Sequence, residues 1–179
     1  MKHKQIVVIG SAGGHDHSAD LAAQVGKAIA DKGFILVTGA CEGLPLAAAT
    51  AAKHAGGMVV GVHPALNAKE TFKGHYVDGV DEPVYDAVIY TGAHMKGRNV
   101  TLVRSGDAIV MVGGRVGTIN EFTIAYDEGH LIGVLDGSGG ASAMARQIEE
   151  LGKAKNTGAR VIYSSDPQEL VDKLAELLR

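Results

Sequence analysis

Short, mostly apolar runs alternate along the chain with longer segments in which apolar residues recur every three or four positions. The runs fall at residues 5–9, 34–38, 58–62, 108–112, 132–135 and 160–163. They have the length of strands and no polar alternation, the pattern of strands buried on both faces. The periodic segments between them predict helices. The first reads from Ser18, a good N-cap, through Leu21, Val25, Ala28 and Ile29 on one face to Gly33 as its stop. A second follows Gly43, with Pro45 tolerated in its first turn, and runs through alanine-rich sequence to Gly56-Gly57. Others cover residues 93–104 and 118–130, with Thr118 near the start of the latter. The last begins at Asp166, has Pro167 at its first position and Glu169 placed for a capping-box variant, and carries Leu170, Val171, Leu174 and Leu177. Such alternation predicts a doubly wound α/β (Rossmann-like) fold, a parallel sheet with helices on both faces, as one domain spanning residues 1–179.

Two segments break the pattern. Residues 63–84 hold two prolines, several charges and no sustained period; they read as a surface excursion with one short strand at 75–77, placed to act as a lid. Residues 137–141, Gly-Ser-Gly-Gly-Ala, read as a mobile connector.

Composition narrows the function classes. A formal charge of −3, with 17 Lys and Arg scattered along 179 residues, argues against a nucleic-acid or membrane-surface partner and for a small molecule. Cys41 is the only cysteine, so no intrachain disulfide can form; it reads as a buried or bystander thiol in a reducing compartment. The first apolar run is too short for a signal peptide and no stretch could span a bilayer, so a cytoplasmic protein is expected.

Candidate chemistry sits in three glycine-bearing loops, each after a strand: 10–14, 39–43 and 113–118. In an open parallel sheet, ligands bind beyond the carboxyl ends of the strands, and glycines let backbone approach them closely. The stretch Val112-Gly113-Gly114-Arg115-Val116-Gly117-Thr118-Ile119-Asn120-Glu121 leads from a strand into a helix, whose first unpaired NH groups and dipole favour a phosphate. It also sets a carboxylate one turn further on. The dinucleotide fingerprint Gly-x-Gly-x-x-Gly and the P-loop are absent, although Asp136 stands where it could bind a ribose and so keeps an NAD-linked function open.

Gly113-Gly114-x-x-Gly117-Thr118-x-x-Glu121, preceded by Met95-x-x-Arg98 and Gly39-x-x-x-Gly43, resembles the "lonely guy" (LOG) group of cytokinin-activating phosphoribohydrolases. The likeness covers about residues 5–136 and is nearer still to a related Rossmann-like set that includes a molybdenum cofactor carrier. An older lysine decarboxylase label on these families implies pyridoxal phosphate chemistry, for which the chain offers no identifiable lysine site. The resemblance implies that Gly113, Gly114, Gly117 and Thr118 hold a 5′-phosphate, and that Gly10, Ser11, Gly39, Ala40 and Gly43 line a nucleotide pocket. It makes Arg98 and Glu121 a catalytic pair for N-glycosidic cleavage, and implies a homodimer. Read from the residues alone, Arg98 could equally be a solvated helix residue, and Glu121 a carboxylate stabilising its own helix start. The chain departs from the family's pattern at Val112, where a proline is usual, at Asn99, where a lysine follows the arginine, and at Ala40 and Cys41, where the hydrolases are glycine-rich.

His15-Asp16-His17 supplies too few fixed ligands for a metal and reads as a polar loop at the pocket mouth; neither a metal nor a resident cofactor is expected. The function expected is a nucleotide-binding protein cleaving a nucleoside 5′-monophosphate. The alternative is a non-catalytic carrier or sensor of a nucleotide or a molybdenum (pterin) cofactor.

Overall fold

In a computed structural model, residues 3–12, 16–70 and 84–179 are described, without the side chains of residues 16 and 17. Among these residues seven parallel strands form one sheet in the order β4-β3-β2-β1-β5-β6-β7. They are β1 (Gln5–Ile9), β2 (Ile35–Thr38), β3 (Val59–His63), β4 (Ala87–Tyr90), β5 (Ala108–Met111), β6 (Leu131–Leu135) and β7 (Arg160–Ser164). The fold is α/β and Rossmann-like. Central pairing is in simple register, with Val7 flanked by Val37 on β2 and Ile109 on β5.

Among the described residues six α-helices cover the sheet: α1 (Asp16–Asp31), α2 (Leu44–His54), α3 (His94–Arg104), α4 (Val116–Asp127), α5 (Ala145–Gly152) and α6 (Pro167–Leu177). The period of two along each strand divides the apolar residues between two cores. Ile6 and Val8 of β1 and Val110 of β5 pack with α1, α2 and α6. Val7 and Ile9, with Ile109 and Met111, pack with α3 and α4 around the fully buried Phe122. Burial of a side chain of that size contributes roughly 1.5–3 kcal/mol.

Element boundaries differ from the sequence reading in instructive ways. Helix α1 begins at Asp16, so Ser18 lies inside its first turn; its hydroxyl donates to the Ser138 carbonyl at 3.0 Å, a tertiary bond in place of a cap. Helix α4 begins at Val116, two residues before Thr118. At α6 the Asp166 carboxylate accepts from the Glu169 backbone at 2.8 Å, but the Glu169 carboxylate turns to Ser164 and Lys173, so only half of the box forms. Residues 137–141 are no loose connector: Ser138 is buried, and Gly140–Met144 form a 3-10 turn leading into α5.

Strand β4 was absent from the strands expected. Its Ala87-Val88-Ile89-Tyr90 is a four-residue apolar run like that of β5, but all four residues are exposed at the sheet edge. A second local signal was present. Asp86-Ala-Val-Ile opens β4 as Asp107-Ala-Ile-Val opens β5, and each aspartate accepts a backbone NH from the neighbouring strand: Asp86 from Val59 at 2.8 Å, Asp107 from Gln5 at 2.9 Å. The strand expected at residues 75–77, and most of the excursion meant as a lid, lie outside the described residues. Among the described residues no helix is long and apolar enough to cross a membrane.

Helices α1 and α2 approach closely at Gly26, where a Cβ would lie 2.0 Å from the Ala48 carbonyl oxygen. Gly26→Val therefore forces the helices apart. It should destabilise the protein by about 1–3 kcal/mol in chemical denaturation, although valine is the better helix former.

Candidate functional site

Strand order reverses at β1, whose neighbours β2 and β5 lead their helices to opposite faces. A crevice opens there beyond the carboxyl ends of the strands. It forms a cavity of about 340 Å³, within the usual range for a small-molecule site. Gly10, Ser11 and Ala12 after β1 line one side, and Arg115 at the N-cap of α4 with Gly117, Thr118 and Glu121 within it the other. Cys41 and Glu42 after β2, and Met95, Lys96, Arg98 and Asn99 of α3, complete the wall.

Of the residues singled out in the sequence, Gly10, Ser11, Arg98, Gly117, Thr118 and Glu121 are brought together on this wall. Gly39, Ala40, Gly43, Gly113 and Gly114 are not. Gly39 instead makes room for Arg98: a Cβ there would lie 2.3 Å from the guanidinium Nη1. Ala40 borders a separate, smaller cavity of about 70 Å³ with His63, Tyr85 and Tyr90. Gly43 backs the Ser11–Ala12 segment, and the next amide, Leu44 N, donates to the Ser11 carbonyl at 3.0 Å. The loop after β6 grips the Gly113-Gly114 pair: Ser138 Oγ accepts from Gly113 N at 2.8 Å, and the Ser142 and Ala141 amides donate to the two glycine carbonyls. Asp136 is paired with Arg146 and is not part of the cavity wall.

Arg98 and Glu121 form a buried ion pair, Nη1 donating to Oε1 at 3.2 Å with both side chains under a tenth exposed. The solvated-arginine and helix-start readings are thereby displaced by a contact between two helices. The pair is poorly satisfied as a structural element. It makes one long bond where a guanidinium can make two, and Arg98 Nε is buried without an acceptor among the described residues. An orphaned buried donor costs about 1–3 kcal/mol. Burial also pushes the Glu121 carboxyl up to about 7, with Arg98 and Lys96 pulling the other way less strongly. A buried carboxyl perturbed in this manner on the wall of a cavity is a candidate functional group.

Two non-glycine residues in the left-handed region flank the cavity, Ala40 with φ of 50° and His94 with φ of 54°. Each such position stores on the order of 1–3 kcal/mol, and strain of this sort clusters at sites. Ala40 is held by its amide bond to Thr38 Oγ1 at 3.1 Å, and that hydroxyl meets Tyr85 OH at 3.0 Å. The turn carries Cys41 into the wall. Burial, opposed by the nearby Arg98 charge, pushes its thiol up to about 11, so it faces the cavity as a neutral thiol. The sequence reading of a buried or bystander thiol is right in the burial but did not single out Cys41 as a wall residue, nor Glu42, Lys96 and Arg115; only their positions after β2 and at the starts of α3 and α4 could have signalled it. His15 and the side chain of His17 lie outside the described residues.

The sequence profile of the SLOG cluster4 family matches residues 3–171. An uncharacterised protein of Archaeoglobus fulgidus is 36% identical over 136 residues, 75% of this chain and 82% of that protein. The cytokinin riboside 5′-monophosphate phosphoribohydrolase of Mycobacterium tuberculosis is 33% identical over 118 residues, 65% of this chain and 58% of that protein's length. Among solved structures, the molybdenum cofactor carrier protein of Chlamydomonas reinhardtii superposes with a TM-score of 0.76 over 99% of both chains, at 25% identity.

The raised Glu121 carboxyl has a consequence for stability. A carboxyl whose folded-state value lies above its ordinary 4.5 stabilises the fold fully below that pH and loses its contribution as pH rises through about 7. The stability of the wild type relative to Glu121→Gln should therefore fall across that window in urea titrations. A difference that stays level or rises would mean that Glu121 is ionised throughout in the folded protein.

Proposed function

Because the chain belongs to the SLOG cluster4 family, we propose that its cavity binds a nucleoside 5′-monophosphate and that Arg98 and Glu121 act on the N-glycosidic bond. The observation that carries this reading is the buried, under-satisfied Arg98–Glu121 pair on the wall of a cavity that also receives a helix N-terminus. The phosphate sits at the first turn of α4. There the amides of Val116, Gly117 and Thr118 have no partner within the helix, and Gly117 leaves open space where a side chain would be. Arg115 and Lys96 add positive charge at the rim, and neither is in an ion pair among the described residues. The Gly10–Ala12 loop supports the sugar.

Departure of the base builds oxocarbenium character on the ribose. The ionised Glu121 stabilises that charge and orients the attacking water, taking its proton as the bond to C1′ forms; the base leaves with the bonding electrons and is protonated from solvent. Arg98 gives fixed positive charge to the phosphate or holds the carboxylate in place. A relative of the same activity supports this reading, although the chain spans only 58% of its length. The likeness along nearly the whole chain to a molybdenum cofactor carrier favours a second reading, in which a phosphorylated cofactor is held intact. Such a cofactor would be held by its phosphate at the start of α4 and by its ring along the same wall. A homodimer and a cytoplasmic location accord with either reading.

Incubation with AMP, GMP, CMP and UMP, followed by chromatography for free base, tests the proposal. Base and ribose 5-phosphate should appear with at least one of them, and Glu121→Gln should slow release by about 100-fold or more. Tight binding without release supports the carrier. Neither release nor binding removes both readings.

A further inference from the structure

Asn99 follows Arg98 on α3 and is itself buried. One end of its amide faces two acceptors, Glu121 Oε1 at 3.1 Å and the Met95 carbonyl at 3.0 Å. An atom so placed is the nitrogen, with one hydrogen for each acceptor. The oxygen end meets the Asn120 side chain at 2.8 Å, which then presents its own amide nitrogen. Glu121 Oε1 thus accepts from both Arg98 and Asn99, whereas Oε2 accepts no hydrogen bond among the described residues.

We propose that Asn99 is a positioning residue that commits Glu121 Oε1 to two donors, so that Oε2 is the oxygen that gives up or takes a proton in the cavity. The inference rests on the reading of Arg98 and Glu121 as the working pair. An oxygen already receiving two N–H donors has no lone pair left to carry the acidic proton, so the proton resides on the other oxygen. The amide does this without adding a charge. A cation at position 99 would join Arg98 and hold the carboxylate ionised; the neutral donor orients the group and leaves it able to exchange a proton near neutrality. The charged and titratable groups around Glu121 are Arg98 and Lys96 on α3 and Cys41 after β2, with Glu42 and Arg115 on the same cavity wall.

The test reads Glu121 directly. The side-chain carboxyl carbons of ¹³C-glutamate-labelled protein are followed by NMR from about pH 4 to about pH 9, and the Glu121 resonance is identified by its loss in Glu121→Gln. Removing the donor in Asn99→Leu should move the midpoint up by about 0.5–1 pH unit, and Asn99→Lys should move it down by about one unit or more. A purely structural Asn99 would change melting temperature and leave the midpoint where it is. An unchanged midpoint in folded Asn99→Leu overturns the proposal; should that variant not fold, Asn99→Ala makes the same decision. The titration needs no ligand. Failure to release base therefore leaves the arrangement of donors on Glu121 standing and removes only its use in cleavage, whereas an unmoved midpoint leaves the nucleotide reading standing.

Discussion

Parallel pairing along all seven strands turns every connection into a crossover, because parallel neighbours cannot be joined by a hairpin. Each strand must therefore hand the chain to a loop on the same edge of the sheet, and the loops collect where the strands end. The order is reversed at β1, so the loops after β1 and β5 part and leave a crevice between them. Its position follows from topology before any side chain is considered. The same arrangement packs α3 against α4 on one face, which brings Arg98 and Glu121 together across 23 residues of chain.

What occupies the crevice is less stable than it could be. A buried guanidinium–carboxylate pair with one long bond and an orphaned Nε, next to left-handed Ala40 and His94, is a set of local costs offset by the two apolar cores beneath. The supports are specific. Gly39 clears the space for Arg98, Thr38 and Tyr85 brace the turn through Ala40, and Ser138 ties down Gly113. These are the features of a wall held in shape for an incoming group. An anion at α4 would meet a positive rim, with a carboxyl raised by burial next to it.

Much of this was legible along the chain. The central strands were readable because burial on both faces makes them continuously apolar, and α2 and α6 because Pro45, Asp166 and Pro167 act within a few residues of themselves. Reading failed where distant partners decide. Ser18 looks like a cap until Ser138 is opposite it, and residues 137–141 look like a loose linker until Gly113 is beneath them. The edge strand β4 was passed over although Ala87-Val88-Ile89-Tyr90 is an apolar run; its exposed place at the sheet edge is decided by pairing with β3 alone, and only its Asp-Ala-Val-Ile start, shared in kind with β5, hinted at that pairing.

The sequence by itself determined the α/β alternation, the three glycine loops after strands, and the presence of Arg98 and Glu121 near helix starts, since each of these depends on residues close together in the chain. The tertiary structure decided which of them share a cavity. It drew Gly113 and Gly114 into the loop after β6, placed Gly39 under a guanidinium, and turned Cys41, Lys96 and Arg115 to the wall. It also gave Glu121 its direction and its state, because burial and the approach of Arg98 and Asn99 exist only once α3 and α4 are packed on the same face of the sheet.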